Sequence, residues 1–205
     1  QTMAERLAAR RVAAQSQTNP SAPAAWNHAS AGARAVAYLI DSALLFCVVV
    51  AFVGAAALVL LINTDSGREQ VSGGEETAVI VILMLTLPTW LALNFGLMLQ
   101  RGQTAGQYLM GLGVLDESGA KPSMRRLAAY WLSLHPLLFH PLLAHPWLLL
   151  AYLTLEEHEA LFVAALAAAL LCLLAPVAAA IFLLADPARR TVHDRLAGIQ
   201  VVALS

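Results

Sequence analysis

Residues 34–62, RAVAYLIDSALLFCVVVAFVGAAALVLLI, decide the fold because they form an apolar run long enough to cross a bilayer as one helix. Two charges break the pattern. Arg34 stands at its entry, and Asp41 follows about two helical turns later on the same face. An isolated carboxylate in hydrocarbon is costly, so Asp41 requires either hydrogen-bond donors or an ion to bind.

The composition of the chain is that of a membrane protein. Sixty per cent of the residues are hydrophobic, 12% are charged, and the mean hydropathy is +0.70. Soluble domains carry about 25% charged residues. A net charge of −1 gives no general attraction to nucleic acid, so we expect no nucleic-acid partner.

Four apolar segments predict an all-α membrane protein with a four-transmembrane-helix bundle, preceded by a basic, flexible N-terminal arm over residues 1–33. The predicted transmembrane domain covers residues 34–205, with spans at about 34–62, 77–99, 130–155 and 160–185. Eleven of the 12 Lys and Arg residues fall on one side if the N-terminus is cytoplasmic. Basic loops stay inside, so we expect a bacterial inner-membrane protein with both termini in the cytoplasm.

The connector after the second span is the most patterned part of the chain. Residues 104–111 predict a short amphipathic helix, and GVLD after it has an extended character that the tail AGIQVVALS shares. Pairing of these two stretches predicts a two-stranded β element on the cytoplasmic face. Backbone amides of the GQTAG segment are candidate donors to Asp41.

Three separated motifs resemble the RDD family of small bacterial membrane proteins. They are Arg34 with Ala37 and Asp41, the stretch GQTAGQYLMGLGVLDESGAKPS, and RRTVHDRLAGIQVV near the end. The resemblance covers about residues 30–202. It implies that Arg34 and Asp41 are the family arginine and first aspartate, with Asp194, beside His193, as the second. It also implies little about activity, since some members have been linked to sodium or proton exchange and most have no established role.

The predicted third span contains His135, His140 and His145, each followed by a proline. Spacing of five residues turns a helix by about 140°, so the three imidazoles cannot share one metal. In one interpretation they fill polar gaps that the prolines open, and in the other they ligate haem or a pigment or form a polar path. Asn94 in the second span is a candidate for the same path or for a hydrogen bond between helices.

No nucleophile with an adjacent base, metal-binding motif or phosphate-binding loop is present, so we expect no enzyme and no resident cofactor. Arg34, Asp41, His193 and Asp194 remain as structural or ion-site candidates. In the first hypothesis the chain is a non-catalytic subunit or assembly partner of a larger membrane complex. The alternatives are an oligomeric cation- or proton-coupled transporter that uses Asp41, and a cofactor-binding protein that uses a third-span histidine.

Overall fold

The computed structural model describes residues 27–64 and 71–204. Its helices and strands, in chain order, are α1 (Ala31–Thr64), α2 (Gly73–Met84), α3 (Thr86–Arg101), α4 (Ala105–Leu109), β1 (Leu112–Asp116), α5 (Met124–Leu132), a 3-10 turn (Pro141–Leu143), α6 (Ala144–Thr154), α7 (Glu159–Ala185), α8 (Val192–Ala197) and β2 (Ile199–Ala203). Residues 1–26 of the predicted N-terminal arm lie outside the described residues. Residues 27–33 differ from that prediction, because α1 begins at Ala31 and Ala29 donates a backbone hydrogen bond to Val201.

Three stretches of the described chain are long and apolar enough to cross a membrane, namely Ala31–Ile62, Gly73–Arg101 and Glu159–Ala185. They coincide with the first, second and fourth predicted spans. The second consists of α2 and α3, which meet at Leu85, about one turn before Pro88. Proline has no amide hydrogen and cannot complete the hydrogen bond to the preceding turn, which explains the break.

The third predicted span is wrong as a continuous helix. Residues 130–155 contain the end of α5, an irregular segment with Leu134 at a φ of +62°, the 3-10 turn and the 11-residue α6. Eleven residues of helix extend about 16 Å, roughly half of a hydrocarbon core. The prolines after His135 and His140 keep these two residues out of helical geometry, whereas Pro146 lies in the first turn of α6, so the helix does not form as one piece.

The broken segment nevertheless joins the two ends of the bundle. Tyr130 lies beside His193 near the end of the chain, whereas His158 leads directly into the start of α7. Non-helical backbone at this depth is tolerated only when protein surrounds it. Trp90 of α3 provides such cover, because its indole Nε1 donates to the Leu137 carbonyl over 2.8 Å.

The predicted short helix and two-stranded sheet are confirmed. Strands β1 and β2 pair antiparallel with Val114 opposite Val201, and His28 adds a single bridge to Val202. The sheet, α4, α5 and α8 gather around the start of α1, at what we call the Arg34 end of the bundle. Much of the long α1 surface beyond it carries exposed apolar side chains, such as Phe46 and Leu61, as expected for a helix in lipid.

Candidate functional site

Asp41 is held by the connector after α3. Its Oδ2 accepts a hydrogen bond from the Thr104 hydroxyl over 2.6 Å, and its Oδ1 accepts one from the Gly106 amide over 2.8 Å. Only 2% of Asp41 is exposed. Both donors are neutral and lie at the start of α4, where free backbone amides favour a negative charge. We call this contact the loop tie.

Gly106 allows the loop tie because α4 touches the backbone of α1. A Cβ at this position would stand 2.0 Å from the Ala37 carbonyl oxygen and 2.8 Å from Asp41 Oδ2. No side chain fits in that space, and the neighbouring atom is backbone that cannot rotate away. The glycine of the GQTAG segment is therefore required for close approach, and the small Ala37 in α1 serves the same purpose.

Arg34 contacts the C-terminal motif and not Asp41. Its Nη2 lies 2.6 Å from Asp194 Oδ2, and its Nη1 donates to the Arg189 carbonyl over 2.6 Å. We call this contact the tail tie. The guanidinium is one-tenth exposed and the carboxylate is fully buried. Arg34 therefore does not compensate the charge of Asp41, because about two helical turns separate them and each has a nearer partner.

Short capping motifs fix both ties. Thr104 caps α4 and forms a reciprocal capping box with Gln107, while Thr191 caps α8 and forms the same box with Asp194. The sequences TAGQ and TVHD carry this signal of Thr followed three residues later by an acceptor side chain. Sequence reasoning missed Thr104, Gln107 and Thr191, although these capping patterns indicate them.

His193 joins a buried aromatic cluster. Its ring centroid lies 4.6 Å from that of His135 and 5.0 Å from that of Tyr130. Trp131 stacks on His135 with a centroid distance of 4.8 Å. Burial, together with the nearby charge of Arg34, lowers the pKa of His193 to about 3, so its imidazole is neutral at neutral pH.

The three third-span histidines have separate roles beside their prolines. His135 Nδ1 accepts from the Leu137 amide, and His140 Nδ1 accepts from the Leu142 amide, each over 3.2 Å. His145 Nδ1 lies 2.6 Å from the Leu142 carbonyl, the group that an amide at position 146 would bind in a helix. Pro146 lacks that amide, so the imidazole takes its place. These contacts support the interpretation that the histidines fill polar gaps.

His140 and Asn94 each make a further polar contact. His140 Nε2 lies 3.0 Å from the Ser42 hydroxyl, one residue after Asp41 in α1. Asn94 is buried in α3, and its Nδ2 donates to the Trp90 carbonyl of the same helix over 3.4 Å. Asn94 therefore makes a bond within its own helix, and the indole of Trp90 makes the contact to the third segment.

A cavity of about 190 Å³ adjoins both ties at the Arg34 end. Its polar lining includes Asp41 of α1, Thr104 just before α4, Gln107 of α4 and His193 of α8. Its apolar lining includes Leu137, Pro176 and Leu183. The cavity brings together Arg34, Asp41, His135 and His193 of the predicted site residues; Asp194 is fully buried beside it, while His140, His145 and Asn94 are not part of its wall.

The chain is similar to a known protein family. No curated protein and no solved structure matches the chain. The family model described as "RDD family" matches residues 28–198, which include Arg34, Asp41 and Asp194. The match covers well over half of the sequence and every element from α1 to α8, so this polytopic membrane protein belongs to the RDD family.

Proposed function

We propose that the protein is a non-catalytic subunit or assembly partner of a larger membrane complex. The observation that supports this proposal is that the family motif residues form contacts that hold the fold together. Arg34, Asp41 and Asp194 are engaged in the loop tie and the tail tie, which fasten α1 to the connector and to the C-terminal segment. A motif that builds a stable membrane scaffold suits a structural partner better than a catalyst.

Co-purification tests this proposal. The tagged full chain is cross-linked in intact membranes, extracted in mild detergent, and compared with an unrelated tagged protein of similar size. We expect a second chain in fixed stoichiometry with this protein and not with the control. A monomer without any companion chain, with the extract shown to preserve other complexes, contradicts the subunit role.

We also propose that the protein lies in the bacterial inner membrane with both termini in the cytoplasm. The exposed residues Glu117 and His158 lie at opposite ends of the bundle and allow matched cysteine variants. In intact cells, a membrane-impermeant maleimide should label His158→Cys and spare Glu117→Cys, because the basic connector lies inside. Labelling of Glu117→Cys alone would reverse the proposed orientation.

A second candidate function is cation- or proton-coupled transport. The observation in its favour is that the Asp41 carboxylate lines the cavity and takes its hydrogen bonds from neutral donors. Reconstituted vesicles should then show cation-dependent proton movement that Asp41→Asn abolishes, with Asp116→Asn as a surface control. Equal silence of the wild type and Asp41→Asn would reject transport.

The absence of a resident cofactor and the absence of enzymatic activity are also proposals. His140 uses both ring nitrogens, Nδ1 for the Leu142 amide and Nε2 for the Ser42 hydroxyl, and His145 uses Nδ1 for the Leu142 carbonyl. We propose that no haem or pigment is resident. An absorption spectrum of the purified protein tests this directly, and a Soret or chlorin band would overturn it.

A further inference from the structure

The end of α3 carries two cationic side chains, which we call the basic corner. Arg101 ends a stretch long and apolar enough to cross a membrane, and Gly102 caps its helix in the left-handed region. The Lys121 amine lies 3.4 Å from the Gln100 carbonyl oxygen, so its charge also lies at the end of this helix. Within residues 27–64 and 71–204, neither Arg101 nor Lys121 forms an ion pair.

Other arginines at the Arg34 end have carboxylate partners. Arg126 lies 3.1 Å from Asp116. Arg195 of α8 lies 3.1 Å from Asp186, at the end of α7. An arginine that already pairs with a carboxylate attracts a further anion only weakly, because the two charges largely cancel at a distance. The basic corner differs from these pairs, and its two uncompensated positive charges favour an anionic partner.

The ring of Tyr108 positions the Arg101 guanidinium. The guanidinium carbon lies 5.0 Å from the ring centroid, which is a cation–π contact. This contact uses no N–H group, and the Arg101 side chain donates no hydrogen bond to the part of the chain that the structure describes. Its fork of N–H donors is suited to the oxygens of a phosphate. The Lys121 ammonium adds two hydrogens, because the Gln100 carbonyl accepts one of its three.

Exposed apolar side chains beside the basic corner favour a lipid as the source of that phosphate. On the short helix α4, Tyr108 is 56% exposed and Leu109 is 66% exposed. At the end of a helix that crosses the membrane, such side chains lie at the level of the headgroups and the first acyl carbons, where tyrosine is enriched. A free phosphate ion would gain nothing from these apolar neighbours, whereas the acyl chains of a phospholipid would pack against them.

The charges also distinguish among phospholipids. A zwitterionic headgroup carries an ammonium next to its phosphate, and the described residues offer no carboxylate at the basic corner to pair with that ammonium. An anionic headgroup brings no such repulsion. We propose that the basic corner binds the headgroup phosphate of an anionic phospholipid through Arg101 and Lys121, with Tyr108 and Leu109 against its acyl chains.

The proposal goes beyond the subunit role and does not depend on it. It is tested on the purified full chain in a neutral detergent, titrated with phosphatidylglycerol while phosphatidylcholine of the same acyl chains keeps the total lipid constant. We expect a saturable rise of the unfolding temperature with phosphatidylglycerol, which weakens at high salt. Inorganic phosphate at the same concentration should give no rise, and this arm separates a lipid headgroup from a free phosphate.

Two variants that remove one charge each make the test specific. Arg101→Gln should weaken the apparent affinity for phosphatidylglycerol about tenfold, since a charge-assisted contact is lost. Arg195→Gln removes the same charge from a guanidinium that Asp186 already neutralises, and it should bind phosphatidylglycerol as the wild type does. A phosphatidylglycerol with a photoreactive headgroup should cross-link to the connector between residues 101 and 121 in the wild type, and much less in Arg101→Gln.

Four results would overturn the proposal. The first is equal stabilisation by phosphatidylglycerol and phosphatidylcholine, and the second is a rise with inorganic phosphate that matches the rise with phosphatidylglycerol. The third is an equal loss of affinity in Arg101→Gln and Arg195→Gln, which would indicate a general attraction to positive charge. The fourth is an acidic protein chain that co-purifies with the wild type and is lost in Arg101→Gln while lipid binding stays unchanged. Unfolding in phosphatidylcholine alone reports the folding of each variant separately.

Discussion

The loop tie and the tail tie hold the same helix by two different means. Asp41 and Asp194 are both carboxylates at no more than 2% exposure. Asp194 is paired with a guanidinium at 2.6 Å, whereas Asp41 relies on one hydroxyl and one backbone amide. Removing one partner of a buried ion pair strongly destabilises the protein, because the other charge stays buried without compensation. A hydrogen-bonded carboxylate is stabilised only while its donors keep their positions.

The comparison shows why the two ties respond to different substitutions. The tail tie depends on charge, because Arg34 is its only cationic side chain. The loop tie depends on shape, because its amide reaches Asp41 only while Gly106 lies against the Ala37 backbone. Substitutions that change charge should therefore weaken the tail tie most, and substitutions that change volume should weaken the loop tie most.

The largest effect is expected when the tail tie loses its charge. Arg34→Ala should lower the free energy of unfolding by about 3 to 5 kcal/mol, since it leaves Asp194 buried without its cation. A double-mutant cycle measured by thermal unfolding in detergent should give strong coupling between Arg34→Ala and Asp194→Asn. The matched cycle with Asp41→Asn should give little coupling. Stronger coupling to Asp41 than to Asp194 would contradict the assigned partners.

The next effect tests the shape of the loop tie. Gly106→Ala should lower the free energy of unfolding by about 3 kcal/mol, because the new Cβ meets backbone that cannot move aside. Gly96→Ala in α3 is the control, since a Cβ there meets nothing within 4 Å. Unfolding temperatures of the two variants should move in opposite directions or differ widely. An equal response would mean that α1 and α4 are not in close contact.

A smaller effect is expected when the charge of Asp41 is removed and its shape is kept. Asp41→Asn should cost about 1 kcal/mol, because the amide oxygen still accepts from Gly106 and the Thr104 hydroxyl can turn to accept from the new amide group. Asp41→Leu, which leaves both donors buried and unpaired, should cost clearly more. If the two variants unfold at the same temperature, the two hydrogen bonds contribute nothing.

The smallest effect is a pH dependence near the tail tie. Because the pKa of His193 is about 3 in the folded protein, against an ordinary 6.5, the unfolded chain binds this proton first. The contribution of His193 to the free energy of unfolding is fully present above about pH 7. It declines as the pH falls through 6.5 towards 3. The unfolding temperature of the wild type should fall more between pH 7 and pH 6 than that of His193→Gln. Parallel pH profiles would show that His193 is not buried in neutral form.

Local features of the fold could be predicted from the sequence. The short helix after Thr104, the pairing of β1 with β2, and a donor to Asp41 from the GQTAG segment follow from turn residues, capping and burial. The helix and its cap depend on residues that are neighbours in sequence. The strand pairing follows because the backbone groups of a few extended stretches need hydrogen-bond partners. The prolines after His135, His140 and His145 also predicted a disturbed segment, although not where its helices begin and end.

Long-range pairing could not be predicted in the same way. Arg34 and Asp41 are close in sequence, and nothing in their spacing reveals that the nearer partner of Arg34 is 160 residues away. The contact of Gly106 with Ala37 is equally hidden, since a glycine in a loop carries no mark of what lies against it. Such contacts depend on how the helices pack, which a single sequence leaves open.

The tail tie has a consequence for biosynthesis. Arg34 is synthesised 155 residues before the Arg189 carbonyl and 160 residues before Asp194. Until then the guanidinium has no carboxylate, and the nascent protein is inserted but unfinished. A product that ends before residue 189 therefore lacks both the carboxylate and the carbonyl that hold Arg34.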